Sequence, residues 1–180
     1  MVRPIALTGT PGTGKSSVAR GLAPLRAVEV ADLAERWGLA RTRHGTVEVD
    51  LRGLQRGARA RNAFSGIDVV VGHLAHLLPL RDVVVLRCHP LELDRRLRSS
   101  PRGGADARLE NVAAEATDVI RWEAVGPGRR VLQVDTTHRS VGAVAREVRR
   151  FERSRCPGRP LRIDWLSDSR VTDYLLDRAP

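Results

Sequence analysis

The stretch GTPGTGKSS, residues 9–17, concentrates more chemistry than any other part of the chain. Gly9, Gly14, Lys15 and Ser16 fit G-x-x-x-x-G-K-[ST], the loop that wraps nucleotide phosphates. Glycines let successive backbone N–H groups turn inward around an anion. The start of the helix that follows adds partial positive charge. Lys15 can reach the β- and γ-phosphates, and the Ser16 hydroxyl can ligate Mg²⁺. The residues expected to hold the nucleotide are Gly12, Thr13, Gly14, Lys15, Ser16 and Ser17. Lys15 is also the sole lysine among 31 Lys and Arg residues. A loop of N–H groups closed on a phosphate suits a compact ammonium better than arginine's wide, rigid fork. The motif points to ATP or GTP and leaves the reaction open.

Phosphoryl transfer asks for an acid near the metal, normally at the carboxyl end of a neighbouring strand. The strand IDVVV carries Asp68 at its start, the wrong end, and has Val71, Gly72 and His73 at the useful end. Asp32, after the second strand, and Asp50 are the alternative acids, each acting through water. His73 is read as positioning phosphate or water, with a packing or capping role as the other reading. His73 and His76 lie three apart with no evident third ligand, so no transition-metal site is assigned. Arg102 and Arg108, in RSSPRGGADAR at 98–108, are placed to close over the phosphates, with Arg96 and Arg98 less well placed. The expected catalytic set is Lys15, His73, Arg102 and Arg108, with Arg102 also binding nucleotide. Arg52, Arg56 and Arg59 share a helical face that is most simply solvated, though it could meet a second nucleotide or RNA. Arg146, Arg149, Arg150 and Arg153 read as a second solvated face.

The elements that must hold these residues alternate. Strand-like runs at 2–8, 27–30, 67–71, 82–88 and 130–135 are separated by helical patterns near 14–22, 31–37, 51–62, 72–78, 90–98, 108–125 and 138–153. This predicts an α/β fold: a three-layer, doubly wound parallel sheet of about five strands. TVEVD at 46–50 reads as an extra strand or part of a flap, and 38–46 reads as irregular. Residues 155–160, RCPGRP, read as a linker to a tail bearing Trp165 and Tyr174 that packs on the domain or on a partner.

At 180 residues, 42% hydrophobic and 29% charged, the chain is expected to be globular, and 3% aromatics implies an aliphatic core. The net charge of +10 admits two readings, a polyanionic partner such as RNA or an arginine-rich composition. Cys88 and Cys156 form no disulfide framework. No signal-peptide pattern and no long apolar run is present, and a cytoplasmic protein is expected.

GTPGTGKSSVA, VADLAE, VVVGHLAHLLP, VVVLRCHPLELDRRL and RLENVAAE, with IDWL in the tail, resemble the adenylate kinase isoenzyme 6 group. These are adenylate kinase-like proteins of ribosome assembly in archaea and eukaryotes, and the resemblance runs over residues 3–150. It implies a nucleoside monophosphate kinase-like domain, taken over 1–153, with a monophosphate-binding flap near 32–55 and a short lid near 99–109; the linker reading leaves 154–180 as a tail packed on the domain or on a partner. It implies Mg²⁺-dependent ATP:AMP phosphoryl transfer with ATPase activity. It further implies work on the small ribosomal subunit through a ribosomal protein and rRNA, and a monomer is expected. Residue by residue, Gly12, Gly14, Lys15, Ser16 and Ser17 match the nucleotide loop, His73 the histidine of an acid-x-His motif, and Arg102 and Arg108 the basic lid positions. Val71 stands where the group has Asp or Glu, and Gly104 where it has Tyr. That departure motivates the alternative, a nucleotide-switched assembly factor with weak or no kinase activity.

Overall fold

The computed structural model describes residues 4–43, 46–60, 62–99, 104–154 and 163–178. The first half comprises β1 (Ile5–Gly9), α1 (Lys15–Gly21), β2 (Ala27–Glu29), α2 (Val30–Arg36), β3 (Ala40–Arg43), β4 (Thr46–Val49), α3 (Leu51–Gly57) and β5 (Val69–Val71). After it come β6 (Asp82–Arg87), α4 (Pro90–Arg98), α5 (Ala105–Ala116), α6 (Val119–Ala124), β7 (Arg130–Asp135), α7 (Val141–Arg153) and α8 (Ser169–Leu176). Five strands pair in parallel in the order β2-β5-β1-β6-β7, while β3 and β4 form a separate antiparallel pair.

The sheet forms because its strands are aliphatic on both faces. Ile5, Leu7, Val84 and Leu86 pack toward Val18 of α1 and Val144, Val148 and Phe151 of α7. Ala6, Val70, Val83 and Val85 pack toward Leu33 of α2, Leu54 of α3 and Ala124 of α6. The period of two therefore feeds two cores, giving a three-layer, doubly wound α/β fold. Strand order reverses at β1, with β5 on one side and β6 on the other. A crevice beyond the carboxyl ends follows from that reversal.

Several boundaries differ from the sequence reading. The irregular stretch 38–46 contains β3, which pairs Ala40 with Val49 and Thr42 with Val47. The helix expected over 108–125 is two helices, broken where Asp118 adopts φ 60. The helix expected over 72–78 is a single 3-10 turn, Ala75–Leu77, entered through Gly72 at φ 153. α3 stops at Gly57 and α7 starts at Val141, where the Ser140 hydroxyl caps by accepting from the Ala143 N–H. The linker expected at 155–160 lies outside the described residues.

The tail packs on its own domain. Trp165 sits edge-on to His89 with ring centroids 5.1 Å apart, and His89 Nε2 lies 3.1 Å from Asp168 Oδ2. Arg52, Arg56 and Arg59 are exposed, as are Arg146, Arg150 and Arg153. Arg149 instead donates to the backbone carbonyl of Gly21 at 2.9 Å. No helix among the described residues is long and apolar enough to cross a membrane.

Candidate active site

β1 delivers the chain at Gly9 into the loop, and α1 begins at Lys15. Gly12 and Gly14 hold φ 91 and 95, where a Cβ is disfavoured. A Cβ at Gly12 would also stand 2.8 Å from Leu93 Cδ1. The loop is braced from beneath by three threonines. Thr13 Oγ1 donates to the Thr10 carbonyl at 2.8 Å, and Thr136 Oγ1 donates to the Thr13 carbonyl at 3.1 Å. Thr10 Oγ1 donates to Glu115 Oε2 at 2.6 Å.

Lys15 folds back along this loop, its ammonium donating to the Gly9 carbonyl at 2.8 Å and the Thr10 carbonyl at 3.0 Å. Burial lowers its pKa to about 8, against the opposing pull of the Glu29 and Glu115 carboxylates. An arriving phosphate supplies the negative charge that such a desolvated ammonium lacks.

A cleft of about 690 Å³ opens over the loop, lined by Gly12, Gly14, Lys15, Ser16 and Ser17 on one side. Glu29, His73, Arg96 and Asn111 line it from elsewhere. The Ser16 hydroxyl donates to Glu29 Oε1 at 3.0 Å. His73 lines the cleft with much of its ring open to solvent; partial desolvation there, with Lys15 and His76 nearby, lowers its pKa and favours the neutral imidazole. Arg96 is fixed by Glu92 Oε1 at 2.9 Å and the Thr136 carbonyl at 3.0 Å.

Glu115 organises the ground beneath the site. Its carboxylate accepts from Arg87 Nε at 2.7 Å, the Cys88 N–H at 3.0 Å and Trp165 Nε1 at 3.4 Å, besides Thr10. Arg87 is buried and also reaches Gln133 Oε1 at 2.8 Å and the Asp118 carboxylate. Burial pushes the Cys88 thiol up to about 11, which leaves it protonated and unreactive at neutral pH.

The structure thus gathers Gly12, Gly14, Lys15, Ser16, Ser17 and His73 at one cleft. Thr13 is buried behind it as a brace. Arg108 is drawn away, its Nε 2.9 Å from Asp94 Oδ1 on α4, while Arg96 takes a place in the lining. Arg102 lies outside the described residues. Asp32 is exposed on α2, and Asp50 caps α3 by accepting from the Gly53 N–H at 2.9 Å; neither lines the cleft. Asp68 accepts from the Arg26 N–H at 2.8 Å, at the opposite end of β5. His76 lies 2.9 Å from Thr8 Oγ1 and 2.9 Å from Glu123 Oε2, a packing role.

Glu29 and Glu115 are the residues that sequence reasoning missed. The run AVEV read as strand through Val30, which hid Glu29 inside it, whereas β2 ends at Glu29. For Glu115, in RLENVAAEA, no local pattern marks a carboxylate directed inward. Ser16 and Glu29 together offer hard oxygen donors, the chemistry that Mg²⁺ takes while keeping several waters.

The family described as AAA domain matches residues 5–118. A protein of Thermococcus onnurineus named "Putative adenylate kinase" is 37% identical over 178 residues, covering 96% of this chain and 97% of its own. One of the same name from Archaeoglobus fulgidus is 39% identical over 180 residues, covering 95% of this chain and 97% of its own. Among solved structures, a sugar kinase from Janibacter sp. aligns with TM-score 0.57 at 16% identity, over 84% of this chain and 94% of its own. A shikimate kinase from Bacteroides thetaiotaomicron aligns with TM-score 0.50 at 16% identity, over 82% of this chain and 97% of its own. At such identities these two structures share the fold alone. The nearly full-length identity carries further: the chain belongs to the family of archaeal proteins named "Putative adenylate kinase", built on a P-loop AAA domain.

Proposed function

We propose that this chain is an ATP:AMP phosphotransferase, forming two ADP, with a slower ATPase activity when water replaces the acceptor. The observation that carries the reading is the convergence of Lys15, Ser16, His73 and Arg96 on one cleft over a braced phosphate loop. The names of the full-length relatives support it.

In this mechanism the loop from Gly9 to Ser17 binds the ATP phosphates through its backbone N–H groups. Lys15 exchanges its carbonyl contacts for phosphate oxygens and spreads charge over them as transfer proceeds. Mg²⁺, held through the Ser16 hydroxyl, would neutralise phosphate charge when bound. Arg96, already fixed by Glu92 and Thr136, presents a guanidinium at small entropic cost. His73, neutral, orients the attacking oxygen or a water. Arg102 and residues near 99–109 act as the lid that excludes water. Residues 32–55 act as the monophosphate flap. Within that span a cavity of about 390 Å³ is lined by Leu39, Arg41, Glu48 and Asp50, among others.

The domain is taken as residues 1–153, working as a cytoplasmic monomer. The net charge of +10 supports contact with a small-subunit ribosomal protein and rRNA as the setting of the activity. Val71 favours a second reading, a nucleotide-switched binding factor for ribosome assembly with weak kinase activity. A coupled assay on the purified chain separates the two: AMP-dependent ADP formation supports the kinase, and ATP loss unchanged by AMP supports the switch.

A further inference from the structure

We propose that Glu29 is the carboxylate that holds the metal's water shell beside Ser16, the task left undone by the apolar Val71. The proposal rests on the nucleotide reading above, and three relationships carry it.

First, Glu29 and Val71 are register partners on β2 and β5. Paired residues of a parallel sheet project to the same face, and strands lie about 4.8 Å apart. Val71 packs in the core cluster facing α1 and is 1% exposed. Glu29 points to that same side from the next strand, and the reach of a glutamate brings its Oε1 within 3.0 Å of Ser16 Oγ.

Second, the contact is made with the group the loop offers to a metal. The Ser16 hydroxyl spends its proton on Glu29, which leaves its oxygen lone pairs to face a cation. Glu29 also heads α2 at the cap position, yet its side chain makes no capping bond. Its carboxylate is directed into the cleft instead.

Third, the other candidate acids are either bonded elsewhere or placed outside the cleft. Asp50 caps α3, Asp32 is exposed outside the cleft lining, and Asp68 sits at the far end of β5. Glu115 is buried beneath the loop and holds Thr10 and Arg87. Among the described residues, Glu29 is the acid that lines the cleft.

The test measures metal binding and is independent of turnover. Wild type and Glu29→Gln, each checked by thermal melting, are saturated with ADP, and free Mn²⁺ is followed by electron paramagnetic resonance. The amide keeps an acceptor for Ser16 but removes the charge, so the Mn²⁺ affinity of the ADP complex is expected to fall about 10–100-fold. ADP affinity in EDTA is expected to be no weaker, because a carboxylate near the phosphates has been removed. Equal Mn²⁺ affinity in the two proteins would overturn the assignment of Glu29 and leave the nucleotide reading standing. Failure of wild type to bind ADP with or without metal would overturn the nucleotide reading, and this inference with it.

Discussion

Glu29 and Val71 stand side by side on adjacent parallel strands, and the charge sits on the outer of the two. The phosphate loop therefore meets a carboxylate from β2 and a packed methyl surface from β5. Val71→Asp places a charge at a position 1% exposed, among Leu7, Val18 and Val69. It is expected to cost about 1–3 kcal/mol of stability. With Glu29 already at the site, it should bring no gain in metal-dependent ADP affinity. Urea unfolding and calorimetry check both halves, and a large gain in that affinity would count against Glu29.

Lys15 is stored at a cost to the fold. Its ammonium is desolvated, with a pKa lowered to about 8, and it leans on carbonyls until a phosphate arrives. Lys15→Met should leave the melting temperature unchanged or higher while weakening ADP binding about 10–100-fold, the loss of a charge-assisted contact. Lys15→Arg should not restore binding, since its fork is too wide for the loop. A thermal melt paired with calorimetry reads both effects.

Glu115 links the loop, the strand β6 and the tail through Thr10, Arg87 and Trp165. Glu115→Ala leaves the buried guanidinium of Arg87 short of its main partner, and about 3–5 kcal/mol of stability should be lost. Trp165→Phe removes one peripheral hydrogen bond and should cost about 1 kcal/mol. Denaturant titration ranks the two variants, and equal effects would show that Glu115 does not anchor the network.

Acid should loosen the fold through His76. Burial holds its pKa below 6.5, with the Glu123 carboxylate opposing, so the folded state binds a proton less readily than the unfolded chain. Stability is then fully present above pH 6.5 and is lost as pH falls below it toward the lower folded-state pKa. His73, shifted the same way, adds to this slope. His76→Gln keeps polar contact with Thr8 and Glu123 and removes the titration. Its melting temperature should vary less between about pH 7 and 5 than that of wild type.

The sheet was legible because its strands are aliphatic runs bounded by turns, and the loop because glycine, lysine and serine spacing is itself the chemistry. Boundaries were not. A single residue, Val30, read as strand although it opens α2, and the shift made Asp32 the first acid past the strand in place of Glu29. The break at Asp118 has no glycine or proline to announce it, because its αL conformation is held by contact with Arg87 and Arg121. Arg108 faced a choice between phosphate and Asp94 that only the packing of α4 on α5 decides. Tertiary partners thus decided the charged side chains, while local pattern decided the strands.

The most direct measurement follows the γ-phosphoryl group itself. The purified chain is given ATP labelled at the γ-phosphate, with Mg²⁺ and AMP, and the products are separated. Label should appear in ADP, in proportion to AMP, and vanish with Lys15→Met. Label found in inorganic phosphate alone, at a rate unmoved by AMP, would contradict phosphotransfer to a nucleoside monophosphate.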